Sequence, residues 1–205
     1  WCFRKKARSL DGETVVAMQN NPGNLLLGEN FAGETGKHYV GKTTGLKYAI
    51  FKDKEMGIRA LYKDIRTKLK KSKGNVEDAM LRYLGGDNIE DSREERYIKA
   101  STHNPDVVGY INRAKEAYEK EGEDGLIKQI IINENKPVRE GGTKELYLND
   151  PEALATGKKL AIMDLPSATT FENALKVYNQ GEYPRKNGGR IMNLTKQNYN
   201  TQRFI

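Results

Sequence analysis

The sequence predicts an α+β domain, mainly α, with a small β element near its start and an extended arm at its C-terminal end. Three observations lead to this class. Apolar residues recur at helical spacing between residues 54 and 135, residues 47–51 have strand character, and glycine and proline become frequent after residue 136. The 205 residues are enough for one domain with a hydrophobic core.

The front of the chain has the composition of loops around a short sheet. Residues 20–46 are rich in glycine, asparagine and threonine, which predicts loops and a small hairpin. The run KYAIF, residues 47–51, contains the aromatic and β-branched residues that are typical of a strand. The run ETVVAM, residues 13–18, is compatible with a short strand or with the start of a helix.

Two helices follow this strand. In residues 54–71 the apolar side chains, among them Ile58, Leu61 and Ile65, fall on one helical face. Asn75 is a favourable N-cap for the next helix, which the glycine pair after Leu84 is expected to end.

The second half of the helical region has clear start and stop signals. A weaker helix is predicted over residues 92–101, and Asn104-Pro105 is a start signal for the next one. Gly122 is predicted to break that helix, and residues 125–135 form the last.

Composition then divides the chain into three parts: a basic N-terminal segment (1–10), a domain (11–137) and an extended docking arm (138–205). One short helix is predicted in the arm, near residues 169–179. The final stretch, IMNLTKQNYNTQRFI, is polar and rich in amides, so it buries too little apolar area to fold alone. We therefore expect the arm to lie on its own domain or on a partner.

The charge of the chain lies at its ends. The net charge is +7, yet residues 11–135 are nearly neutral and both terminal parts are basic. This distribution argues against a folded nucleic-acid-binding core, which usually has a basic face. It favours basic arms that contact an acidic neighbour or phosphates, or that simply add solubility.

Several classes of protein are disfavoured by what the sequence contains. No apolar run approaches the roughly 20 residues of a membrane helix, so no membrane span is predicted. The single cysteine, Cys2, excludes an intrachain disulfide, and with only His38 and His103 beside it no zinc site and no cofactor are expected. Because the chain begins with Trp1, we expect a processed form or a fragment.

A series of motifs resembles a known family. The order is NNPGNLL (20–26), FAG (31–33), YAIFKDKEMGIRAL (48–61), GNVEDAMLRY (74–83), ERYI (95–98) and LIKQIIINEN (126–135). This order is similar to that of bacteriophage virion-associated domains related to lysozyme and lytic transglycosylases, and the resemblance covers about residues 18–137. Two departures, FAG in place of Trp-x-Gly and Leu25-Leu26 in place of Ile-Arg, are compatible with a changed sugar subsite or with lost activity.

Glu134 is the candidate catalytic residue. It follows Ile127, Ile130 and Ile131 at helical spacing, and a carboxyl held against apolar side chains resists ionisation, as a general acid requires. The alternative is that the helix frays at Asn133 and that Glu134 points into water.

The resemblance further implies a lysozyme-like fold that is circularly permuted. In related enzymes a helix that ends in the catalytic glutamate is followed by an Asn-Pro segment, whereas here the NNPGN run comes first. We therefore expect Glu134 to lie beside NNPGN, with Asn20, Asn21 and Asn24 hydrogen-bonded to acetamido or hydroxyl groups of a glycan. The alternative for NNPGN is a turn whose asparagine side chains bond to backbone.

A second carboxylate is less well defined. Glu29, and after it Glu34, lies in the glycine-rich loop and is the backup candidate. A lytic transglycosylase needs only one carboxyl, because a hydroxyl of the substrate closes an anhydro ring.

The resemblance implies a peptidoglycan-cleaving domain, a muramidase or lytic transglycosylase, in a phage virion. It would act on glycan strands at the host cell wall, in the periplasm, during genome delivery. The arm would bind other virion or tail proteins, in an assembly with multiple copies. The alternative is a catalytically inactive structural adaptor of the tail or inner virion, and contact with DNA through the basic ends is a weaker third possibility.

Overall fold

The structure is a computed structural model that describes residues 19–41, 44–135, 144–183 and 192–193. The predicted basic segment 1–10, the run 13–18 and the final residues 194–205 lie outside these ranges.

The described chain is mainly helical with a small antiparallel sheet, so the coarse α+β class is confirmed. In chain order the elements are β1 (Glu34–Val40), β2 (Lys47–Phe51), α1 (Lys54–Lys71), α2 (Val76–Gly85), α3 (Arg93–His103), α4 (Val107–Glu134), α5 (Lys144–Leu148), α6 (Pro151–Leu160), α7 (Phe171–Gln180), β3 (Glu182–Tyr183) and β4 (Met192–Asn193). None of the described helices is long and apolar enough to cross a membrane.

The first sheet is the predicted hairpin. Strands β1 and β2 are antiparallel, with His38 opposite Ala49 and Tyr39 opposite Tyr48. Leu26 forms an isolated bridge to Tyr48 on the other edge of β2. The NNPGN loop is therefore attached directly to the sheet.

Helix α1 is the centre of the core and has the predicted bounds. Ile58, Leu61 and Ile65 are each fully buried along its length. The helix packs against α2, α4 and α6, so its apolar positions face neighbours on several sides. This central position makes α1 the element on which the loops of the site are built.

Helix α4 is interrupted at Gly122, as the sequence predicts. The backbone of Gly122 has φ 60° and ψ −142°, values that glycine adopts at low cost. The segment that follows buries Ile127, Ile130 and Ile131 completely and continues to Glu134. The alternative in which the helix frays at Asn133 is therefore wrong.

The prediction of an extended arm over residues 138–205 is wrong for residues 144–180. The predicted short helix is present as α7, but α5 and α6 precede it. The buried side chains of these three helices, and of the turn after α6, belong to the same core as α1; they include Tyr147, Ala153, Leu160, Met163 and Ala174. The domain consequently extends well past residue 137.

Candidate active site

The NNPGN loop has a shape that asparagine tolerates well. Asn20 and Asn24 have φ angles of 50° and 46°, in the left-handed region that asparagine visits more readily than most residues. Asn21 lies between them with 0% of its surface exposed. The loop therefore turns sharply twice around one buried amide.

Asn21 holds this loop closed. Its Oδ1 accepts a hydrogen bond from the backbone N–H of Leu25 at 2.9 Å, and its Nδ2 donates to the carbonyls of Leu25 at 2.9 Å and Ala49 at 3.0 Å. Asn20 Nδ2 donates to the carbonyls of Phe51 and Lys52, both at 3.2 Å. These contacts give Asn20 and Asn21 a structural role in place of the predicted glycan contacts.

Helix α1 approaches the loop at Gly57. A Cβ atom at this position would lie 1.7 Å from the carbonyl oxygen of Asn20, which is far too short for two atoms that are not bonded to each other. Glycine is therefore required by contact with the loop backbone, which connects the GIRA motif to the NNPGN motif.

We expect Gly57→Ala to lower the free energy of unfolding by about 1–3 kcal/mol, because the loop must move away from α1. Denaturant titration of both proteins measures the difference. Lys70→Ala, an exposed position on the same helix, is the control and should change stability by less than about 0.5 kcal/mol. An unchanged midpoint for Gly57→Ala would show that the loop does not rest on α1.

The end of α4 also contacts this loop. Asn135 Nδ2 donates to the carbonyl of Pro22 at 2.7 Å, and Asn135 is almost fully buried. Tyr83 of α2 donates its hydroxyl hydrogen bond to the carbonyl of Gly23. The loop is thus held between α2 and α4, with Asn24 facing the last turn of α4.

Asn24 and Tyr110 both donate side-chain hydrogen bonds to Glu134. Asn24 Nδ2 donates to Oε2 at 2.9 Å, and the Tyr110 hydroxyl donates to Oε1 at 2.9 Å. The predicted proximity of Glu134 to NNPGN is therefore confirmed, and Asn24 is the asparagine that makes the contact. A carboxyl group still accepts hydrogen bonds when it carries a proton, so both donors are compatible with an acid or a base at this position.

The tyrosines beside Glu134 stay protonated. Burial, and then the charge of Glu134, raise the pKa of Tyr110 well above its usual value. The pKa of Tyr83 is raised by burial first and then by the charges of Glu134 and Asp64. Tyr110 is therefore a hydrogen-bond donor to Glu134 at every pH at which the protein is expected to act.

Glu134 opens onto a cleft of about 380 Å³. The side chain is half-buried, so one part is fixed by the protein and another is accessible to a ligand. The cleft lies among the NNPGN loop, the hairpin and helices α1 to α4. Its lining residues are Gly23, Asn24, Leu25, Leu26, Glu29, Phe31, Thr44, Leu46, Tyr48, Asp64, Lys68, Arg82, Tyr83, Leu84, Gly86, Asp87, Ala100, His103, Asn104, Tyr110, Arg113, Asn133 and Glu134.

Charges of both signs line the cleft, and several are already paired. Arg82 binds Asp87 at 2.9 Å, and Arg113 binds Asp106 at 3.0 Å. Glu29 also lines the cleft and is exposed. A wall of mixed sign suits a neutral polar ligand better than a polyanion, which a basic surface would attract.

Sequence reasoning missed several lining residues. Tyr110 lies beside the apolar residues Val107 and Ile111, so it resembled an ordinary core residue. Asp64 and Lys68 are polar positions of α1, and the sequence predicted only a helix there. His103, considered from the sequence only as a possible zinc ligand, is the last residue of α3 and lines the cleft. The one available signal for Asp64 and Lys68 was their four-residue spacing, which brings opposite charges together on a helix.

Comparison of the chain with protein-family models, with curated proteins and with solved structures finds no match. The geometry of the cleft and the motifs that contribute to it are therefore the basis for a function.

Proposed function

We propose that this protein is a peptidoglycan-cleaving domain of lysozyme-like fold, circularly permuted, with Glu134 as its general acid. The observation that supports this most is the position of the Glu134 carboxyl. Glu134 is the last residue of a largely buried helix segment, and its side chain lines the cleft. Asn24 donates to one carboxyl oxygen and Tyr110 to the other, both at 2.9 Å. A positioned, partly buried carboxyl is what glycosidic cleavage requires.

The reaction needs one proton transfer from Glu134 to the glycosidic oxygen as the bond from that oxygen to C1 breaks. The positive charge that develops at C1 is then neutralised by an oxygen nucleophile, whose proton passes to the Glu134 carboxylate. With water as nucleophile the product is a reducing end, and with a substrate hydroxyl it is an anhydro sugar. Only the first route has a use for a second carboxylate, for which Glu29 is the candidate.

The described helices after residue 143 support an enzyme over an inactive adaptor. An adaptor is expected to fill the ancestral cleft with its own arm, yet among the residues that the structure describes, those lining the cleft all lie between Gly23 and Glu134. Helices α5 to α7 contribute buried side chains to the core and do not line the cleft. The departure at Phe31-Ala32-Gly33 then corresponds to an altered subsite, since Phe31 lines the cleft.

The proposal includes the biological setting that the resemblance implies. The domain is carried in a phage virion and acts on glycan strands of the host cell wall during genome delivery. Residues after α7 bind other virion or tail proteins, in an assembly with multiple copies. The basic character of the C-terminal part supports an acidic partner surface.

The test is release of soluble muropeptides when the full chain is incubated with purified peptidoglycan. Mass spectrometry of the products distinguishes anhydro ends from reducing ends and so identifies the nucleophile. Release supports the enzyme. A folded protein that releases nothing at any concentration contradicts it and favours the adaptor.

A further inference from the structure

A buried ion pair lines the cleft and has no part in the proposed chemistry. Asp64 and Lys68, one turn apart on α1, are 7% and 8% exposed. Lys68 Nζ donates to Asp64 Oδ1. The second oxygen, Oδ2, is buried and has no hydrogen-bond partner among the described residues.

Such a buried ion pair usually contributes little to the stability of a protein. Removing two charges from water costs more than their attraction usually returns, and an apolar pair of similar volume is often as stable. An unsatisfied buried oxygen adds to this cost and calls for an explanation. A role in ligand recognition is one, since the pair borders the cleft.

The pair lines the same cleft as the proposed acid. Tyr83 lines this cleft as well, and burial first, then the charges of Glu134 and Asp64, raise the pKa of its hydroxyl. The other charges that act on Asp64 are Lys68, Glu29 and Asp87, and Asp87 is itself bound to Lys71 and Arg82. A group bound at the pair would therefore belong to a sugar that lies in the same cleft as Glu134.

We propose that Asp64 and Lys68 recognise the acetamido group of a 2-acetamido sugar. The amide N–H donates to Asp64 Oδ2, and the amide oxygen accepts from an N–H of Lys68 that does not bind Asp64. Lys68 carries three donors, so one bond to Asp64 and one to the ligand are compatible. Because Oδ2 is buried, binding includes a rotation of the Asp64 side chain that brings this oxygen to the cleft surface.

The chemistry of the pair favours this ligand. An amide has a donor and an acceptor side by side, which matches adjacent carboxylate and ammonium groups. The pair is neutral as a unit, so a neutral group leaves no charge uncompensated in the buried site. This inference rests on the proposed function, because it names the feature of the glycan that the cleft selects.

The test compares binding of two neutral β-1,4 trisaccharides to the full chain, chitotriose with acetamido groups and cellotriose with hydroxyls in their place. Titration followed by NMR gives both affinities without any need for cleavage. We expect the wild type to bind chitotriose at least about tenfold more tightly, the effect of roughly one buried hydrogen bond.

The variant is Asp64→Leu with Lys68→Met, in which both charges are removed so that neither is left alone. We expect it to bind the two trisaccharides with similar affinity while cellotriose binding is retained. The control, Glu121→Leu with Lys128→Met, removes an exposed pair on α4 and should keep the preference. A second measurement needs only the wild type. The 13C signal of its Asp64 carboxyl should shift when chitotriose is added and should not shift when cellotriose is added.

The outcomes separate this inference from the proposed function. No preference in the wild type, or the same preference in the Asp64–Lys68 variant, overturns the inference even if peptidoglycan is cleaved. If the preference depends on the pair but the protein releases no muropeptides, the inference is supported and only the proposed enzymatic activity is contradicted.

Discussion

Glu134→Gln is expected to lower the rate of muropeptide release by at least roughly 100-fold, the lower end of what a general acid contributes. The glutamine side chain has nearly the same size and can accept the hydrogen bond from Tyr110, but it cannot give a proton to the glycosidic oxygen. The rate is measured on purified peptidoglycan at equal protein concentration.

The variant should remain folded, because Glu134 is half-buried and the bonds of Asn135 and Asn21 that fix the loop are untouched. We expect the free energy of unfolding to change by about 1 kcal/mol or less. Full activity in a folded Glu134→Gln protein would show that another residue is the acid.

Glu29→Gln is the matched control, because it makes the same chemical change at another position of the cleft. If a substrate hydroxyl is the nucleophile, Glu29→Gln should release anhydro products at close to the wild-type rate. A large loss together with reducing-end products would instead assign Glu29 as the second carboxylate of a hydrolase.

Local signals in the sequence were sufficient for the helices that carry the cleft. The apolar stripe of α1 and the cap at Asn75 predicted helices that the structure contains, and Gly122 does interrupt α4. These features depend on spacing within one element, which a sequence displays directly. The proximity of Glu134 to NNPGN depends on distant parts of the chain and was predicted only through the family resemblance.

The helices after residue 143 show why composition was misleading there. Pro151 was counted as a breaker, yet it occupies the first turn of α6, where proline costs no hydrogen bond, and Asp150 caps that helix. The packing of α6 depends on Gly157, where a Cβ would lie 2.5 Å from Ile58 Cγ2. Contact between residues about 100 positions apart leaves no periodic signal.

The asparagines of the NNPGN loop are a second case in which the sequence does not determine the role of a residue. A sequence cannot tell whether an asparagine in a turn bonds to its own backbone or to a ligand, because both uses favour the same residue. Asn21 and Asn24 are three positions apart, yet one is completely buried and the other contacts Glu134. Only the packing of the loop against β2 and α4 separates them.

Arg59→Met is expected to lower the free energy of unfolding by about 2–4 kcal/mol. Arg59 is 2% exposed, and it donates from Nε to the Leu160 carbonyl at 3.2 Å and from Nη2 to the Met163 carbonyl at 2.8 Å. Burial lowers the pKa of Arg59 to about 10, so the guanidinium is still charged at neutral pH. Methionine occupies much of the same space but supplies no donor. The Met163 carbonyl therefore loses its bond from Arg59, while the Leu160 carbonyl keeps the one from the backbone N–H of Met163 at 3.2 Å.

Arg66→Met is the control, because Arg66 lies two turns further along α1 and its partly exposed guanidinium binds Glu123 from Nε at 2.5 Å and from Nη2 at 2.9 Å. Solvent screens this pair in part, so we expect a loss of about 1 kcal/mol, less than for Arg59→Met. Denaturant unfolding of the three proteins gives the comparison, and hydrogen exchange should show the loss for Arg59→Met first in residues 151–163. Equal stability of the two variants would mean that the arginine of the GIRA motif is dispensable for attaching α6 to the core.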